Sequence, residues 1–208
     1  MQPRITLKLA TSLDGRIAMA SGESQWITGE ASRLQGHRLR ASHEAILVGV
    51  ETVLHDDPQL TVRVPGEQHP NPRRIVLDSR LRTPSNARLL DGALILTTVQ
   101  VAPLGTAEVV QIAADDHGRP APNAVLAALA ERNITSVLIE GGGRVAASFV
   151  KAGLVDAIEW FRAPMLLGHE GRPAIADLGF DRLSDTPRFK RLAVSPLGDD
   201  LWERYEKA

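Results

Sequence analysis

The sequence predicts an α/β protein whose central sheet is mostly parallel, and two observations lead to that prediction. Short apolar runs typical of strands alternate with helical segments for most of the chain. Parallel strands need such a crossover between them, so the alternation favours a parallel sheet. The last two strand-like segments, by contrast, are separated only by a turn at 197–199. Because so short a turn joins antiparallel strands, we expect an antiparallel C-terminal hairpin at one edge of the sheet.

The N-terminal half is predicted to consist of strands interrupted by two helical segments. Residues 5–10 alternate apolar and polar side chains, as a half-buried strand does. Thr28 or Ser32 is expected to cap a helix, and Asp57-Pro58 is expected to end a helical turn. The predicted order is strands at 5–10 and 17–19, a helix ending near 40 or 42, a strand at 45–48, a helical turn at 50–54, and strands at 74–77 and 93–97.

The C-terminal half is predicted to continue the alternation and then to become mostly β. Asn133 and Gly153 are residue types that commonly end helices, and each follows a helical segment. The predicted order is a strand at 108–113, a helix at 123–131, a strand at 137–139, a helix after the glycine turn at 141–143, and strands at 156–163, 188–196 and 201–205.

Composition places the chain among ordinary globular proteins. Its 208 residues, 43% hydrophobic and 24% charged, are enough for one sizeable core, so a single domain over 1–208 is predicted. The formal net charge of −1 offers no positive surface for nucleic acid or an anionic membrane. No apolar run has the length of a bilayer span, and the N-terminus lacks the apolar core of a signal peptide. We therefore expect a cytoplasmic location.

Several chemistries are excluded by what the sequence lacks. Without cysteine there are no disulfides, thiolate zinc sites or cysteine nucleophiles. The six histidines are scattered and form no H-x-x-x-H pair, so we expect no protein-built metal site. No G-x-S-x-G elbow is present either. Any chemistry is therefore expected from a bound organic cofactor.

A strand, a carboxylate, a glycine turn and a helix follow one another at 137–149. Glu140 is expected at the carboxyl end of the strand 137–139, where open α/β sheets bind ligands. The three glycines at 141–143 allow close approach to a ligand, and the helix that follows presents its positive end. This pattern is typical of a phosphate site, but a tight turn without a ligand remains an alternative. The loose match to the dinucleotide fingerprint lies too late in the chain to indicate a Rossmann domain.

Six segments, in order along the chain, carry a family resemblance. They are KLATSLDGR at 8–16, SGESQWIT at 21–28, DDPQLTVR at 56–63, LDS at 77–79, EGG at 140–142 and APMLLG at 163–168. Together they resemble the riboflavin-biosynthesis pyrimidine reductases over nearly the whole chain. The resemblance implies a dihydrofolate-reductase-like, three-layer α/β/α fold and NADPH as hydride donor.

The resemblance also implies a reaction and partners. The reaction is reduction of the ribosyl group of 5-amino-6-(5-phosphoribosylamino)uracil, a small phosphorylated substrate, to a ribityl chain. It also implies a homodimer. Many members of the family carry a zinc deaminase domain whose cysteine and histidine signature this sequence lacks, so a separate deaminase is expected.

Site residues follow from the same resemblance. The positions that match substrate contacts are Ser24, Arg40, Leu60, Arg63 and Glu140. Those that match cofactor contacts are Ala10, Trp26, Thr52, Asp56, Ser79, Gly142, Gly143, Arg144, Val145, Ala146, Ala147 and Ser148. Lys8 and Glu140 are the candidates for polar catalytic groups beside the reacting carbon. Lys8 could instead be an ordinary strand-end lysine, and Glu140 could anchor the substrate through hydrogen bonds rather than transfer a proton.

Elementary chemistry supports these roles and leaves alternatives. Arg40 and Arg63 are suited to bidentate capture of a phosphate, although Arg40 could simply lie on a solvated helix face. Trp26 offers a flat surface to a cofactor or packs in the core.

Two of the proposed cofactor positions, Ser79 and Asp56, lie at predicted turns and could have a purely structural role instead. Ser79 with Arg80 could hold the 2′-phosphate of NADPH or form an ordinary turn. Asp56 and Asp57 could be a helix-stopping pair.

Two other functions remain open from the sequence. One is NADPH-dependent reduction of a related pterin-like or pyrimidine substrate, and the other is a nucleotide-binding module without turnover. A dimer has only weak support in the sequence, from Ile158, Trp160 and Phe161 on a candidate edge strand. The alternative for these three side chains is ordinary core packing.

Overall fold

A computed structural model describes residues 2–208. It contains four α-helices, eleven strands and one short 3₁₀ helix among these residues. They are β1 (Arg4–Thr11), β2 (Arg16–Ala18), α1 (Glu30–Ala41), β3 (Ala45–Gly49), α2 (Val50–Asp56), β4 (Arg73–Leu77), β5 (Leu94–Thr97), β6 (Glu108–Gln111), α3 (Pro122–Ala130), β7 (Ser136–Ile139), α4 (Gly143–Lys151), β8 (Ala157–Arg162), β9 (Arg172–Pro173), the 3₁₀ helix (Leu183–Asp185), β10 (Phe189–Leu197) and β11 (Asp200–Lys207). The predicted order of elements is confirmed, while β9 and the 3₁₀ helix have no counterpart in the prediction.

The chain divides into two compact units, of which the first comprises residues 2–4 and 37–141. Its strands lie in the order β7-β3-β4-β5-β6, and every neighbouring pair is parallel. Leu47 of β3 is in register with Ile139 on one side and Ile75 on the other. All residues of β3 are buried, as are the apolar residues of β4 and β7, which explains why these strands read as continuous apolar runs rather than as alternating ones. The predicted parallel sheet is confirmed here.

The second unit comprises residues 5–36 and 142–208. Its strands lie in the order β10-β11-β8-β1. β1 and β8 are parallel, whereas β11 is antiparallel to both β8 and β10. The two C-terminal strands are joined by Gly198 and Asp199 alone, so the predicted hairpin is confirmed, with β10 at the edge. A separate two-stranded sheet pairs β2 with β9.

The expectation that β8 is an edge strand is wrong, because β8 lies between β11 and β1. Ile158 is 6% exposed and Phe161 is fully buried, where its ring lies parallel to that of Trp202 at 6.0 Å. Trp160 donates a hydrogen bond to the hydroxyl of Thr11. Ile158 and Phe161 belong to the core and Trp160 is half-buried within the sheet, so these side chains give no support for a dimer. β8 is not an edge strand because β11 pairs with it on the side opposite β1.

The predicted caps of α1 are also wrong. The helix begins at Glu30, which leaves Thr28 before the helix and Ser32 inside it. The buried carboxylate of Asp200 accepts hydrogen bonds from the backbone N–H of Gly29 at 2.7 Å and from the hydroxyl of Ser32 at 2.6 Å. Asp200, from the C-terminal hairpin, thus accepts the hydrogen bonds at the start of α1 that a local N-cap side chain would otherwise accept.

Among residues 2–208, no helix combines the length and the apolar character that a membrane span requires.

Candidate active site

A buried ion pair lies at the carboxyl ends of the parallel strands in the first unit. Glu140 directly follows β7, and its carboxylate accepts hydrogen bonds from Nε and Nη2 of Arg40, each 2.8 Å long. The side chains are 17% exposed for Arg40 and 4% for Glu140. Arg40 also donates from Nη1 to the carbonyl oxygen of Thr61 at 3.0 Å. Burial opposes the charge on Arg40, but the Glu140 carboxylate outweighs it and raises the pKa of the guanidinium, so Arg40 stays charged.

His37 lies one turn before Arg40 on the same face of α1. Its Nδ1 is 3.1 Å from the carbonyl oxygen of Thr61 and 3.2 Å from the backbone nitrogen of Arg63. Burial lowers the pKa of the imidazole, and the charges of Arg40 and Arg63 lower it further, against the opposing effects of the Thr61 carbonyl and Glu140. With its pKa below the ordinary value of about 6.5, the imidazole is mostly neutral at about pH 7.

The loop that carries Arg63 is anchored by Leu60. This residue is 4% exposed and has a φ of 52°, a left-handed conformation that costs about 1–2 kcal/mol outside glycine. Burial of the Leu60 side chain offsets that strain. Arg63 itself is exposed, and its Nη1 contacts only Thr61 Oγ1 at 3.1 Å and Gln59 Oε1 at 3.4 Å. Its guanidinium has no carboxylate partner in the part of the chain that the structure describes.

Four predicted substrate residues therefore lie together in the first unit. They are Arg40, Leu60, Arg63 and Glu140. The interpretation of Arg40 as part of a solvated helix face does not hold, because its guanidinium is mostly buried against a carboxylate.

Two predicted cofactor residues lie on α2 of the same unit. Thr52 is half-buried, and a Cβ placed on Gly141 would lie only 2.7 Å from Thr52 Oγ1. Glycine is therefore needed at 141 for packing. Asp56 is the exposed last residue of α2, and Asp57 follows in a left-handed conformation that ends the helix. The Asp57 carboxylate also accepts a hydrogen bond from the backbone N–H of Arg88 at 2.9 Å.

Buried Asp78 organises the turn that follows β4. Its carboxylate accepts hydrogen bonds at 2.7 Å from both the backbone N–H and the hydroxyl of Thr83, and a longer one from the N–H of Arg80. The turn presents half-buried Ser79 and exposed Arg80 beyond the strand end. Because β4 and β7 both run parallel to β3, this turn and Glu140 follow the same ends of the strands.

The glycine turn and α4 lie in the second unit. Gly142 has a φ of 88°, and the helix begins at Gly143 with no side-chain cap and no acidic residue in its first turn. The N–H of Ala146 already bonds to the carbonyl of Gly142, so the first three helical N–H groups are those suited to an anion. A Cβ on Gly143 would lie 2.5 Å from the carbonyl oxygen of Pro173, so this glycine also has a packing reason.

The side chains of α4 mostly face the protein. Ala146 and Ala147 are 2% and 6% exposed, and the hydroxyl of Ser148 donates to the carbonyl of Val145 at 2.8 Å. Arg144 is exposed. The segment can therefore offer a ligand its backbone N–H groups and the Arg144 guanidinium, but little else.

Lys8 and Ala10 lie on one face of β1 in the second unit, each half-buried. The ammonium of Lys8 is 5.8 Å from the centroid of the Phe161 ring, and Lys8 is in register with Glu159. Burial raises the pKa of Glu159, against the hydrogen bond that its carboxylate accepts from Trp202.

Trp26 and Ser24 lie in the loop before α1. Trp26 is 68% exposed, and the guanidinium of Arg33 lies 4.6 Å from the centroid of its ring. The alternative of core packing for Trp26 is therefore wrong, and its ring face remains open to a ligand on one side. Ser24 is half-buried.

An open cavity of about 420 Å³ in the second unit has no predicted site residue in its lining. It lies between the start of α1 and the β10–β11 turn, against Ile27, Glu30, Met165 and Asp199. Residues 2–208 contain no group of three or more histidine or acidic side chains that could hold a metal ion.

Two groups that lie beside Arg40 and Arg63 were not among the predicted site residues. They are the His37 side chain and the Thr61 carbonyl. His37 was passed over among scattered histidines, although its spacing of three residues from Arg40 on a predicted helix indicates a shared face. The role of the Thr61 carbonyl could not be predicted, because the sequence does not show in which direction a backbone carbonyl of a loop points.

Comparison with known proteins gives a consistent result. A family model described as the RibD C-terminal domain matches residues 3–202. The riboflavin biosynthesis protein RibD of Bacillus amyloliquefaciens is 39% identical over 208 residues, which cover 96% of this chain and 56% of that protein. The 2,5-diamino-6-ribosylamino-4(3H)-pyrimidinone 5′-phosphate reductase of Methanothermobacter thermautotrophicus is 35% identical over 99% of this chain and 98% of its own length. The chain thus spans little more than half of the RibD relative.

Solved structures agree with the family match and with the fold. A diaminohydroxyphosphoribosylaminopyrimidine deaminase/5-amino-6-(5-phosphoribosylamino)uracil reductase from Thermotoga maritima superimposes with a TM-score of 0.85 at 30% identity, covering 100% of this chain and 57% of that one. Dihydrofolate reductase from Enterococcus faecalis, at 14% identity and a TM-score of 0.58, covers 100% of this chain and 98% of its own. The predicted dihydrofolate-reductase-like α/β fold is confirmed.

Proposed function

Since this chain belongs to the RibD C-terminal domain family, we propose that it reduces the ribosyl group of 5-amino-6-(5-phosphoribosylamino)uracil to a ribityl chain in riboflavin biosynthesis. NADPH is the proposed reductant. The observation that carries the proposal is the buried Arg40–Glu140 pair, with Arg63 close by, in a chain that matches the family over residues 3–202. A buried carboxylate near an exposed guanidinium suits a ligand with polar N–H groups at one end and a phosphate at the other.

The residues of the first unit would bind and orient the substrate. Glu140, fixed by two hydrogen bonds from Arg40, would accept hydrogen bonds from the N–H groups of the pyrimidine. Arg63 would hold the phosphate, and Leu60 would contact the substrate as part of the loop between them. Arg40 acts chiefly by holding Glu140 in place. Ser24 is a further proposed substrate contact.

The residues proposed for the cofactor fit a dinucleotide phosphate. The first turn of α4 has no side-chain cap on its N–H groups and no acidic side chain, while Arg144 and Arg80 are exposed. NADPH, when bound, would supply the hydride that reduces the anomeric carbon of the ring-opened imine. Lys8 is the proposed polar group near that carbon, and the proton for the nitrogen would come from solvent.

The remaining proposed cofactor contacts fall into two groups. Thr52, Asp56 and Ser79 would contribute side chains, with Ser79 and Arg80 on the 2′-phosphate that distinguishes NADPH from NADH. Ala10 and Trp26 would lie against the ring systems, Trp26 through its exposed face.

A second substrate is favoured by one observation. The archaeal relative, which matches this chain over 98% of its own length, is named for the 2,5-diamino pyrimidinone phosphate, the compound before deamination. The two substrates differ by an amino group on the pyrimidine, close to where Glu140 would bind. We propose the deaminated compound as the main substrate and the diamino compound as the alternative.

Three further proposals concern the setting of the reaction. The deaminated substrate requires a deaminase to supply it, whether on this polypeptide or another. We also propose that the active form is a homodimer and that the reaction takes place in the cytoplasm. Light scattering coupled to size-exclusion chromatography would overturn the dimer if it gave the mass of one chain.

The test of the function is oxidation of NADPH, followed by its absorbance, with each of the two pyrimidine phosphates in turn. We expect substrate-dependent oxidation that is fastest with the deaminated compound and much weaker with NADH. Faster turnover of the diamino compound would establish the alternative. No oxidation with either compound, from protein with a native circular dichroism spectrum, would overturn the reductase proposal.

A further inference from the structure

Arg40, Arg63 and Glu140 form the substrate cluster, and its two positive charges are unequally available to a ligand. The charge of Arg40 is matched by Glu140 across two hydrogen bonds of 2.8 Å, in a pair whose carboxylate side chain is 4% exposed. Arg63 is exposed, and its side-chain partners within residues 2–208 are the neutral groups of Thr61 and Gln59. The free protein therefore offers one unmatched guanidinium to a phosphate monoester, which carries close to two negative charges at about pH 7. A second cation would balance the ligand.

His37 is placed to become that second cation. Its Nδ1 has two partners of opposite kind, the backbone N–H of Arg63 at 3.2 Å and the carbonyl oxygen of Thr61 at 3.1 Å. A neutral imidazole can accept from the Arg63 N–H, and a protonated one can donate to the Thr61 carbonyl. Nδ1 therefore has one hydrogen-bond partner in either protonation state without movement of the ring, and protonation exchanges the Arg63 N–H for the Thr61 carbonyl. Nε2 has no hydrogen-bond partner within residues 2–208, which leaves it for a ligand.

The groups around His37 set the direction of its response. Burial and the charges of Arg40, on the same helix, and of Arg63, on the loop after α2, lower the pKa of the imidazole. The Thr61 carbonyl and Glu140, at the end of β7, act in the opposite direction. A phosphate dianion beside Arg63 would cancel one of the lowering charges and add an attraction for the proton. The bound state should therefore hold a proton that the free state lacks.

We propose that His37 is a phosphate ligand of this site, alongside Arg63, and that it takes up a proton as the phosphate binds. This inference rests on the proposed function, since it assigns the phosphate end of the substrate to these two residues. The ligand chemistry is a phosphate monoester dianion held between a guanidinium and an imidazolium, both of which donate charge-assisted hydrogen bonds. Proton uptake then becomes a signature of phosphate recognition.

The experiment is isothermal titration calorimetry of the phosphorylated substrate into the protein without NADPH, so that no turnover occurs. Titration at about pH 7 in two buffers of different ionisation enthalpy gives the number of protons exchanged, and the phosphate itself can only release protons there because its second pKa is about 6. We expect net uptake by the wild type and none by His37→Asn, whose side-chain carbonyl can still accept the Arg63 N–H. The variant should bind about 10-fold more weakly.

Two controls make the result specific to the phosphate. Arg38→Gln removes an exposed arginine from the same turn of α1 and should leave proton uptake unchanged. The same substrate without its phosphate should bind to wild type and to His37→Asn with affinities within about two-fold, and without proton uptake. Equal binding of this compound also shows that the variant is folded.

The outcomes separate this inference from the function on which it rests. If wild type oxidises NADPH with the phosphorylated substrate, but uptake is absent or persists in His37→Asn, the role of His37 is overturned and the reductase stands. Uptake that persists with the phosphate-free compound overturns it as well. If wild type shows no turnover at all, the proposed function is what has failed.

Discussion

Two regions of this molecule are suited to binding anions, one through charged side chains and the other through backbone N–H groups. In the first unit, the substrate cluster relies on side-chain charge, from Arg40, Arg63 and Glu140. In the second unit, the start of α4 relies on backbone N–H groups behind a glycine turn, with no side-chain cap. A cluster of charges is sensitive to pH, salt and single substitutions. A helix N-terminus does not titrate and is limited instead by the space that a Cβ would occupy.

The difference shows where evolutionary freedom should be smallest in each region. Burying Arg40 requires Glu140, because a buried charge without its partner is strongly unfavourable. At the glycine turn, Gly142 is constrained by its φ of 88° and Gly143 by the Pro173 carbonyl. In the first region, stability is therefore most sensitive to removal of a charged side-chain group such as the Glu140 carboxylate. In the second region, it is most sensitive to addition of a Cβ at a glycine.

The largest expected effect is that of Glu140→Ala. Removing the carboxylate leaves the Arg40 guanidinium buried and unpaired, so we expect the free energy of unfolding to fall by about 3–5 kcal/mol. Urea denaturation of wild type and variant measures it. The matched control is Glu51→Ala, which breaks an exposed pair with Arg82 whose side chains are 52% and 45% exposed and which should cost less than about 1 kcal/mol. Equal losses in the two variants would contradict the buried-pair interpretation.

Arg40→Met/Glu140→Leu separates stability from activity at the same place. Replacing both charges by apolar side chains removes the unpaired charge, so stability should return to within about 1 kcal/mol of wild type. Activity should not return, because nothing is left to accept hydrogen bonds from the pyrimidine. An active double variant would exclude Glu140 as substrate anchor.

The preference for a phosphorylated substrate should distinguish the role of Arg63 from that of Arg40. We define it as kcat/KM with the phosphorylated substrate divided by that without phosphate, a ratio that does not depend on how much of a preparation is active. Arg63→Gln should reduce it about 10- to 100-fold through loss of charge-assisted hydrogen bonds. Arg40→Lys should lower both kcat/KM values and leave the ratio within about three-fold, because Arg40 acts through Glu140. A collapsed ratio in Arg40→Lys would place Arg40 on the phosphate.

Alanine at two glycines sharpens the contrast in the second unit. Gly143→Ala puts a Cβ 2.5 Å from a backbone oxygen, so we expect a loss of about 1–3 kcal/mol in unfolding free energy. Gly36→Ala, inside α1, meets only the end of the Lys8 side chain at 3.9 Å and should stabilise the protein by about 0.5–1 kcal/mol. Thermal or urea unfolding measures both. A Gly143→Ala variant as stable as wild type, or more stable, would show that the Pro173 contact does not constrain position 143.

The smallest expected effect concerns Asp14, an exposed carboxylate that accepts hydrogen bonds from the Ser12 hydroxyl and from the backbone N–H groups of Leu167 and Gly168. The Ser12 hydroxyl, followed by the N–H of Leu167, lowers the pKa of Asp14 from 3.8 to about 2. A lowered folded-state pKa stabilises the protein above the unfolded value of 3.8, and this contribution is lost as the pH falls toward 2. Asp14→Asn should therefore be less stable than wild type at neutral pH. The difference should shrink below about pH 4 in denaturation measured across pH. A difference independent of pH would contradict this account.

Local pattern predicted most elements because their burial is recorded in their composition. The apolar runs of β3, β4 and β7 are those of strands buried on both faces, and Asp57-Pro58 ends α2 through residue types that disfavour helix continuation. The cap of α1 could not be predicted in this way, because Asp200 lies 171 residues after Gly29. The position of β8 in its sheet was missed for the same reason, since nothing in its own sequence shows that β11 covers it.

The sequence by itself determined the α/β class, the parallel strands, the C-terminal hairpin and, through six ordered segments, the family. These properties follow from local composition and from motifs that can be read residue by residue. Only the tertiary structure decided that Arg40 pairs with Glu140, that Arg63 has no carboxylate partner among residues 2–208, and that Nδ1 of His37 lies 3.1 Å from the Thr61 carbonyl oxygen. Charge pairing depends on which side chains meet across distant parts of the chain, and burial then decides how strongly each charge is felt.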